Sequence, residues 1–544
     1  MKEGLLMRKI IISFLLVILI FTISACKKET KEELDFEKIY DVIDHISLLP
    51  EEITLADQEL LLEVNDLYET LKPEEKALVT NYPLLEEALA SLQSLIAEKE
   101  AQDAARNNAF LEAEEYLLSY IPDVLTENIT LPRTYNTSSG EVMILWSSSK
   151  PQTLSHNGIT NPGRKSINVT LTTTLRYNND TYSFTKKVKV ERISFKALPQ
   201  TRISFGYMYN RPSFSKLREN EEKALDVVNY AFGTVYQGLA SLSALSDYQD
   251  VLALRKQGVR VVLCLGGYQD GAAPFSEACR TEAGRNTLAR SIVEAVELYH
   301  YDGVDIDWEY PGYYTGLNGG ETDYVKDSAN YTAFMIALRR ELKQANPDYI
   351  LSAALPGGPY NHPRFEVENL ASVLDFFHLM TYDMDSATVS THLTPLYSSS
   401  LGVANCSVHD SVNTYISRGV APSKLVIGIA FYGRKFYLSQ NAQTPMKQNA
   451  ISRETVLQNE IKTSFLNRIE SGEVIRYFDN TAKAPYLFDT VNKIAVTYDD
   501  PESIMYKAQY AISRGLGGMM FWEYGEDQTG VLLAAIYEHY IIGR

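Results

Sequence analysis

From about Arg202 to the C-terminus, short apolar runs alternate with helical segments, and this alternation restricts the possible folds more than any other feature of the chain. The runs are nearly continuous in apolar residues, as the strands of a parallel sheet covered by helices require. Eight such units predict a (β/α)8 barrel, in which functional side chains gather at the C-terminal ends of the strands. The predicted strands are Ile203–Tyr207, Val227–Phe232, Val259–Leu265, Gly303–Asp307, Ile350–Leu355, Phe376–Tyr382, Leu425–Ala430 and Gly517–Trp522.

The fourth run carries three acids spaced two residues apart, Asp305, Asp307 and Glu309. Alternate residues of a strand share one face, so the three carboxyl groups should stand in a single file. Neighbouring carboxylates raise each other's pKa, and the file therefore adds no stability. A solvated acidic edge strand would not explain the apolar residues between the acids. The pattern favours a site where one acid holds a proton near neutral pH and delivers it.

Two motifs carry a resemblance to a known family. The run from Asp302 to Glu309 resembles the DGxDxDxE signature of family 18 glycoside hydrolases, the chitinase family, with every acidic position filled. The run from Met380 to Asp383 resembles the M-x-Y-D motif of the same family at its sixth strand. The resemblance implies cleavage of β-1,4 bonds next to N-acetylglucosamine with retention, the acetamido oxygen of the substrate acting as nucleophile.

The resemblance also implies catalytic roles. Glu309 would protonate the leaving oxygen and later activate water. Asp307 would orient the acetamido nitrogen and stabilise the charge of the oxazolinium ion. Asp305 would lie deeper and share a proton with Asp307, because two neighbouring buried carboxylates resist double ionisation. Tyr382 would donate its hydroxyl to the acetamido carbonyl and hold it under the anomeric carbon.

Further residues are expected to bind the sugar. Trp522, in the run Phe521-Trp522-Glu523, matches the position of the family's Trp floor beneath the reacting sugar, where an aromatic face stacks on the pyranose. Met380 and Asp383 would line the same pocket. For three other positions, sugar contact and packing in the cleft wall are both open; these are Tyr207, Tyr432 and Arg434.

The chain also departs from the family pattern. Cys264 stands where the family's S-x-G-G motif has a hydroxyl that hydrogen-bonds the inner aspartate, and Tyr268 stands where chitinases often carry Trp. Met384-Asp385-Ser386 lacks the usual Gly-Trp continuation. The preferred chain length or aglycone therefore stays open. A chitinase is the first choice, because an α+β insertion at about 435–514 and the run from Trp308 to Gly312 favour it, and an endo-β-N-acetylglucosaminidase or peptidoglycan hydrolase is the alternative. An inactive chitin-binding lectin usually lacks the catalytic Glu, which is present here.

The N-terminus predicts export. A basic segment at Met7-Arg8-Lys9 precedes an apolar run from Ile10 to Ile23, too short for a comfortable membrane span. The run ends in Ile23-Ser24-Ala25-Cys26, which resembles a bacterial lipobox. We expect residues 1–26 to be a lipoprotein signal and Cys26 to anchor the protein to the outer face of a membrane. An ordinary signal peptide or an uncleaved anchor is the alternative.

Three regions follow. Residues 27–110 repeat apolar positions at helical spacing and resemble small three-helix modules of Gram-positive surface proteins, with a spacer role. Residues 111–195 alternate as strands between turn signals and are similar to the atypical immunoglobulin-like β-sandwich of bacterial glycoside hydrolases. Trp146 in this region is a core residue or, alternatively, a sugar platform. Residues 196–544 form the barrel, with an α+β insertion at about 435–514.

Charge and composition exclude other functions. A net charge of −18 argues against nucleic acid as a partner. The eight histidines show no metal-ligand spacing, and no complete nucleotide-binding motif occurs, so we expect neither a metal nor another cofactor. Three cysteines follow the signal and do not suggest a disulfide framework. We expect a monomer whose partner is a glycan containing N-acetylglucosamine.

Overall fold

The computed structural model describes residues 34–193, 197–209, 221–245, 255–268, 272–313 and 323–543. These residues form a group of helices, a five-stranded sheet, a parallel barrel and a second five-stranded sheet. The predicted signal, with Cys26, lies outside the described residues. None of the described helices combines the length and the apolar character that crossing a membrane requires.

The N-terminal region is helical, as its apolar repeat predicts. Helix α1 begins after Asp35, whose carboxylate accepts a hydrogen bond from the backbone N–H of Lys38 at 3.2 Å and so caps the helix. Pro73 occupies the first turn of α3, where no backbone N–H is needed. The helices are α1 Phe36–Ser47, α2 Gln58–Glu69, α3 Pro73–Lys76 and α4 Tyr82–Tyr120. Their shared core contains Ile39, Val42, Ile46, Leu61, Val64, Tyr68, Leu85 and Leu92.

Helix α4 is longer than the sequence analysis predicts. It runs for 39 residues and crosses the boundary expected at residue 110 without a break. The physical reason is that no Gly or Pro interrupts residues 97–120, while Ala109, Ala113 and Leu117 are buried at four-residue spacing. The helix ends just before Ile121-Pro122, since the residue before a proline disfavours helical backbone.

The strands of the immunoglobulin-like region lie where the alternating pattern predicts. Asn178, in the predicted turn, has a φ of 52° and links β4 to β5. The strands are β1 Val124–Leu125, β2 Thr134–Thr137, β3 Gly140–Ser148, β4 Ile167–Tyr177 and β5 Asp180–Val190, in the order β1-β5-β4-β3-β2.

The described strands of this region belong to one sheet, whereas a sandwich has two. Residues 149–166, between β3 and β4, form turns instead of further strands, because Pro151, Asn157-Gly158 and Pro162-Gly163 interrupt them. Leu154 from this segment completes the core over the sheet. Trp146 packs against the same core and donates its indole N–H to the backbone oxygen of Pro132 at 2.7 Å, which favours the packing role.

The predicted barrel is confirmed. All eight parallel strands are present, and pairing of the first strand with both the second and the eighth closes the ring. The strands are β6 Ile203–Tyr209, β7 Val227–Tyr236, β9 Arg260–Tyr268, β10 Gly303–Glu309, β11 Ile350–Pro356, β12 Phe376–Met380, β13 Leu425–Ala430 and β19 Gly518–Trp522, with β8 Leu239–Ser241 paired to the end of β7. The surrounding helices are α5 Ala272–Cys279, α6 Glu282–Leu298, α7 Tyr324–Ala345, α8 Val367–Leu370, α9 Val408–Ser417, α11 Pro501–Ser513 and α12 Val531–Ile536.

Asp302 braces the start of β10. Its buried carboxylate accepts the backbone N–H of Val261 at 2.8 Å and pairs with Arg255 and Arg164, each at 3.2 Å. Arg255 is also fully buried and donates to the backbone oxygen of Pro162 at 2.8 Å. One ion cluster thus ties the turn segment of the immunoglobulin-like region to the barrel.

The insertion is an antiparallel sheet in the order β15-β14-β18-β17-β16, followed by the barrel helix α11. It begins at Tyr432 and ends at Tyr498, so it is shifted toward the N-terminus from the predicted 435–514. The difference arises because Pro501–Ser513 is the barrel helix α11, which Asp500 caps through the backbone N–H of Ser503. The elements are β14 Tyr432–Leu438, β15 Ala450–Leu457, α10 Gln458–Glu460, β16 Val474–Asp479, β17 Ala484–Asp489 and β18 Ile494–Tyr498.

Candidate active site

The acid file lies inside the barrel, along β10. The residues between the acids face outward into the layer under the helices, where Trp308 stacks on Phe275 with ring centroids 5.3 Å apart. Asp305 and Asp307 are 0% and 3% exposed, and Glu309 ends the strand at the mouth of the barrel. Strand periodicity thus aims three carboxyl groups at one interior, at increasing height.

Asp305, the deepest acid, is surrounded by hydrogen-bond donors. The hydroxyl of Ser352 donates to its Oδ1 at 2.6 Å, and the hydroxyl of Tyr207 donates to its Oδ2 at 2.8 Å. The thiol of Cys264 lies 3.2 Å from the same Oδ2, so the cysteine keeps a weak form of the contact that a hydroxyl would make. Burial raises the pKa of Asp305, but the partners, of which His378 contributes most, outweigh burial and lower the pKa below its usual value.

The pKa values of Asp307 and Glu309 are shifted in the opposite direction, upward. Oδ1 of Asp307 is buried and has no hydrogen-bond partner among the described residues. Burial, followed by the charges of Glu309 and Asp305, raises the pKa of Asp307 well above its usual value. Burial also raises the pKa of Glu309 to about 7, although a hydrogen bond with Tyr310 opposes the shift. The pKa of the deepest acid is therefore lowered, whereas the pKa values of the two acids above it are raised.

An aromatic floor lies beside the acids. Trp522 stacks on Phe232 with ring centroids 5.6 Å apart and planes at 27°, and Tyr207 and Tyr209 pack at its edges at 5.7 and 6.2 Å. Tyr382 lines the cleft, and its hydroxyl lies 4.0 Å from the sulfur of Met520. A sugar ring in this cleft would have an aromatic face below it and hydroxyl and carboxyl groups at its edges.

A charged cluster forms the adjoining wall. Asp383 accepts the hydroxyl of Tyr432 at 2.8 Å and pairs with Arg434, so the insertion sheet fixes the orientation of this carboxylate. Arg434 also lies 3.5 Å from the buried Asp385, which Arg453 pairs from the neighbouring strand of the insertion. The insertion is therefore joined to the barrel by ion pairs next to the cleft.

The structure brings the predicted site residues together around one cavity of about 800 Å³. Asp305 and Tyr207 are the deepest of them, and Tyr207 braces Asp305 while one face of its ring reaches the cavity. The lining includes Tyr207, Asp307, Glu309, Met380, Tyr382, Asp383, Tyr432, Arg434 and Trp522. The described residues hold no group of three or more His, Cys, Asp or Glu side chains that could bind a metal ion.

Several lining residues escaped the sequence analysis. Tyr209 ends the first barrel strand, and Phe232 ends the second strand as the sequence predicts it, although β7 continues to Tyr236. The rule that placed the other site residues at strand ends would have found both. Tyr310 follows Glu309 directly. Arg453 carries no sequence signal, because its approach to the cleft depends on how the insertion sheet folds back.

The comparison with known families decides the assignment. The model of Glycosyl hydrolases family 18 matches residues 203–527, which is the barrel with its insertion. The chain belongs to glycoside hydrolase family 18. The model of the atrophied bacterial Ig domain matches residues 111–193 and confirms the immunoglobulin-like region ahead of the family 18 domain.

Individual proteins similar to this chain include chitinases. Chitinase A1 of Niallia circulans is 31% identical over 50% of this chain and 41% of that protein. Endochitinase 1 of Metarhizium robertsii is 30% identical over 52% of this chain and 64% of that protein. The chain thus spans less than two thirds of either relative.

Solved structures extend the comparison. A family 18 N-acetylglucosaminidase from Paenibacillus barengoltzii is 35% identical, with a TM-score of 0.57, and the match covers 62% of this chain and 99% of that one. A class V chitinase from Nicotiana tobaccum, 21% identical with a TM-score of 0.55, shares the fold over 63% of this chain and 99% of its own.

Proposed function

We propose that the chain hydrolyses β-1,4 bonds next to N-acetylglucosamine in chitin or chito-oligosaccharides, with retention and with help from the substrate's acetamido group. The observation that carries the proposal is the position of Glu309. It is an acid with a pKa near 7, set at the edge of a cleft whose floor is Trp522. A proton donor of this pKa works well near neutral pH.

Glu309 is the proposed general acid. It gives its proton to the oxygen that links two sugars as the bond to the anomeric carbon breaks. The same carboxylate then takes a proton from the water that opens the cyclic oxazolinium intermediate. The first role needs the protonated carboxyl group and the second needs the carboxylate, and a pKa near 7 makes both states accessible.

Asp307 and Tyr382 are the proposed partners of the acetamido group. A protonated Asp307 has an unpaired buried oxygen and can bind the acetamido N–H. The hydroxyl of Tyr382 can donate to the acetamido carbonyl and fix its oxygen below the anomeric carbon. The nucleophile is thereby held close to the carbon that it attacks. Asp305 is a nearby fixed negative charge that stabilises the cation formed in the reaction.

The remaining predicted residues are proposed to bind sugar. Trp522 stacks on the reacting ring, and Met380 fills space beneath the acetamido methyl. Asp383, held by Tyr432 and Arg434, presents a carboxylate oxygen toward sugar hydroxyls. Tyr207 acts through Asp305, to which its hydroxyl donates.

A second candidate is release of single N-acetylglucosamine units from chain ends. It is favoured by the 35% identity to the family 18 N-acetylglucosaminidase from Paenibacillus barengoltzii. An endo-β-N-acetylglucosaminidase, a peptidoglycan hydrolase and a non-catalytic lectin remain outcomes of the test. Products decide among them: even-numbered or mixed oligosaccharides indicate a chitinase, and monosaccharide from the first turnover indicates exo action.

The test compares wild type with Glu309→Gln on chito-oligosaccharides of defined length, an N-glycan and peptidoglycan. The matched control is Glu294→Gln, which alters an exposed glutamate on helix α6. We expect wild type and the control to cleave chito-oligosaccharides and Glu309→Gln to lose about 10²-fold or more in kcat/KM. Full activity of Glu309→Gln, or cleavage of none of the glycans by wild type, would refute the proposal.

We also propose that the protein is exported, acylated at Cys26 and held as a monomer on the outer face of the membrane. The helical region would then act as a spacer for the enzyme. Support comes from the lipobox-like run before Cys26 and the polar Lys27-Lys28-Glu29 after it. Cys26→Ala should abolish labelling by a palmitate analogue and release the protein into the medium; retained labelling would contradict the anchor.

A further inference from the structure

His378 is a buried histidine to which the sequence analysis gives no role. It lies on β12, is 0% exposed, and points its Nδ1 at the base of the acid file. Nδ1 lies 2.9 Å from the hydroxyl of Tyr207, 3.1 Å from the amide of Asn229 and 3.4 Å from Oδ1 of Asp305. Nε2 is buried without a hydrogen-bond partner among the described residues.

The direction of these hydrogen bonds follows from counting protons. The hydroxyl of Tyr207 has one hydrogen, and its oxygen lies 2.8 Å from a carboxylate that accepts it. The contact between Tyr207 and Nδ1 therefore needs the hydrogen of the ring nitrogen. The amide of Asn229 accepts from the same N–H when its oxygen, otherwise without a partner among the described atoms, faces the ring.

The result is a chain of two hydrogen bonds: the imidazole N–H donates to the Tyr207 oxygen, and the Tyr207 hydroxyl donates to Asp305. We propose that His378 is a positioning residue that orients Tyr207 toward Asp305, so that Asp305 stays ionised and the proton of the acid pair resides on Asp307. The inference rests on the function proposed above. It adds a residue, outside the cleft lining, that sets the protonation state of the file.

The surroundings of His378 contain no second acid that could take over this role within the described residues. Phe205 and Tyr207 face it from β6, with the Phe205 ring centroid 4.6 Å away, Asn229 faces it from β7, and Asp305 from β10. Cys264 and Asp307 lie beyond Asp305. Loss of the imidazole N–H would free the Tyr207 hydroxyl to turn, and Asp305 would then accept a proton at a higher pH.

The experiment compares His378→Leu with His378→Asn. Leucine removes the donor at similar bulk, whereas the amide nitrogen of asparagine can occupy the position of Nδ1. We expect His378→Leu to lower kcat on a chito-oligosaccharide about tenfold or more, with KM changed less than about threefold. The acidic limb of the pH profile of kcat should move to higher pH. His378→Asn should restore the acidic limb and most of kcat.

Two readouts separate a positioning role from a structural one. The inference would be overturned if both variants lost kcat equally while the acidic limb of the kcat–pH profile stayed in place. It would also be overturned if His378→Leu kept the kcat and the acidic limb of wild type.

The pH dependence of Tm tests the inference without turnover. Because the pKa of Asp305 is lowered by folding, its ionised form stabilises wild type above the unfolded pKa and less as pH falls. The Tm deficit of His378→Leu should therefore be largest at neutral pH and shrink toward pH 3; a constant deficit argues against it. A wild type without hydrolytic activity would refute the proposed function but leave this Tm test standing.

Discussion

Asp305, Asp307 and Glu309 are chemically similar acids whose surroundings assign them different states. Asp305 has donors on both oxygens, and its pKa is lowered. Asp307 has burial and two negative neighbours, and its pKa is raised. The division follows from which strands flank β10: Cys264 and Ser352 are its register partners at the level of Asp305. The two adjacent strands thus supply two partners of Asp305, and β6 and β12 supply Tyr207 and His378.

The raised pKa of Glu309 predicts the alkaline limit of activity. The acid must be protonated in the free enzyme, so kcat/KM should fall as pH rises through about 7. The same shift should weaken folding at high pH, since the unfolded chain ionises this group from about pH 4.5 and the folded chain only from about 7. Glu309→Gln removes that difference, so its Tm advantage over wild type should grow between these two pH values. A kcat/KM that falls only above about pH 9 would contradict the assignment of Glu309 as the proton donor.

Tyr382→Phe separates a catalytic hydroxyl from a packing ring. Among the described residues, the hydrogen-bond contact of the hydroxyl is the Met520 sulfur at 4.0 Å, which is long and weak. We expect kcat to fall about 10- to 100-fold while Tm stays within about 2 °C. Tyr40→Phe, on the exposed face of α1, is the matched control. An unfolded or strongly destabilised Tyr382→Phe would instead support a packing role.

At the scale of elements, helix α4 gives the sharpest test of the fold. Ala104 lies in its exposed middle, where a separate helical module and a linker would tolerate proline. In a continuous helix, Ala104→Pro should cost about 3 kcal/mol and Ala104→Gly about 1 kcal/mol. Urea unfolding and helical ellipticity measure both. Indistinguishable values for the two variants would show that the helix is interrupted near residue 104.

The barrel strands and the site were readable from sequence for a physical reason. A strand buried on both faces needs an unbroken apolar run, and Leu425–Ala430 is observed with the bounds predicted. The extent of α4 and the single sheet of the immunoglobulin-like region were not readable. Alternation in β3 and β4 identifies strands but does not say whether a second sheet or the Leu154 segment covers their apolar face.

Other parts of the site depend on contacts between elements distant in sequence. Arg453 reaches Asp385 across 68 residues, and His378 reaches Tyr207 across 171. Motif spacing cannot reveal such pairs, because each residue taken alone is an ordinary polar side chain. The acids were predictable because one motif along β10 carries them, and Tyr382 was predictable because a second short motif carries it just after the end of β12.

At the scale of the whole molecule, Arg255 links the barrel to the turn segment of the immunoglobulin-like region. Arg255→Met would remove one of the two arginines that pair with the buried Asp302, leaving the Arg164 pair, and would remove a hydrogen bond to Pro162. We expect a loss of about 2–4 kcal/mol in the free energy of unfolding. Arg290→Met, an exposed change on α6, is the control. A loss below about 0.5 kcal/mol would show that this cluster does not hold the two regions together.

The dependence of the Glu309→Gln defect on the leaving group tests the central claim most directly. Wild type and variant are compared by kcat/KM on chitotetraose, whose leaving sugar needs a proton, and on a dinitrophenyl chitobioside, whose leaving group does not. If Glu309 is the proton donor, the variant should lose about 10²–10⁴-fold on chitotetraose and far less on the dinitrophenyl substrate. Equal losses on both substrates would contradict the account.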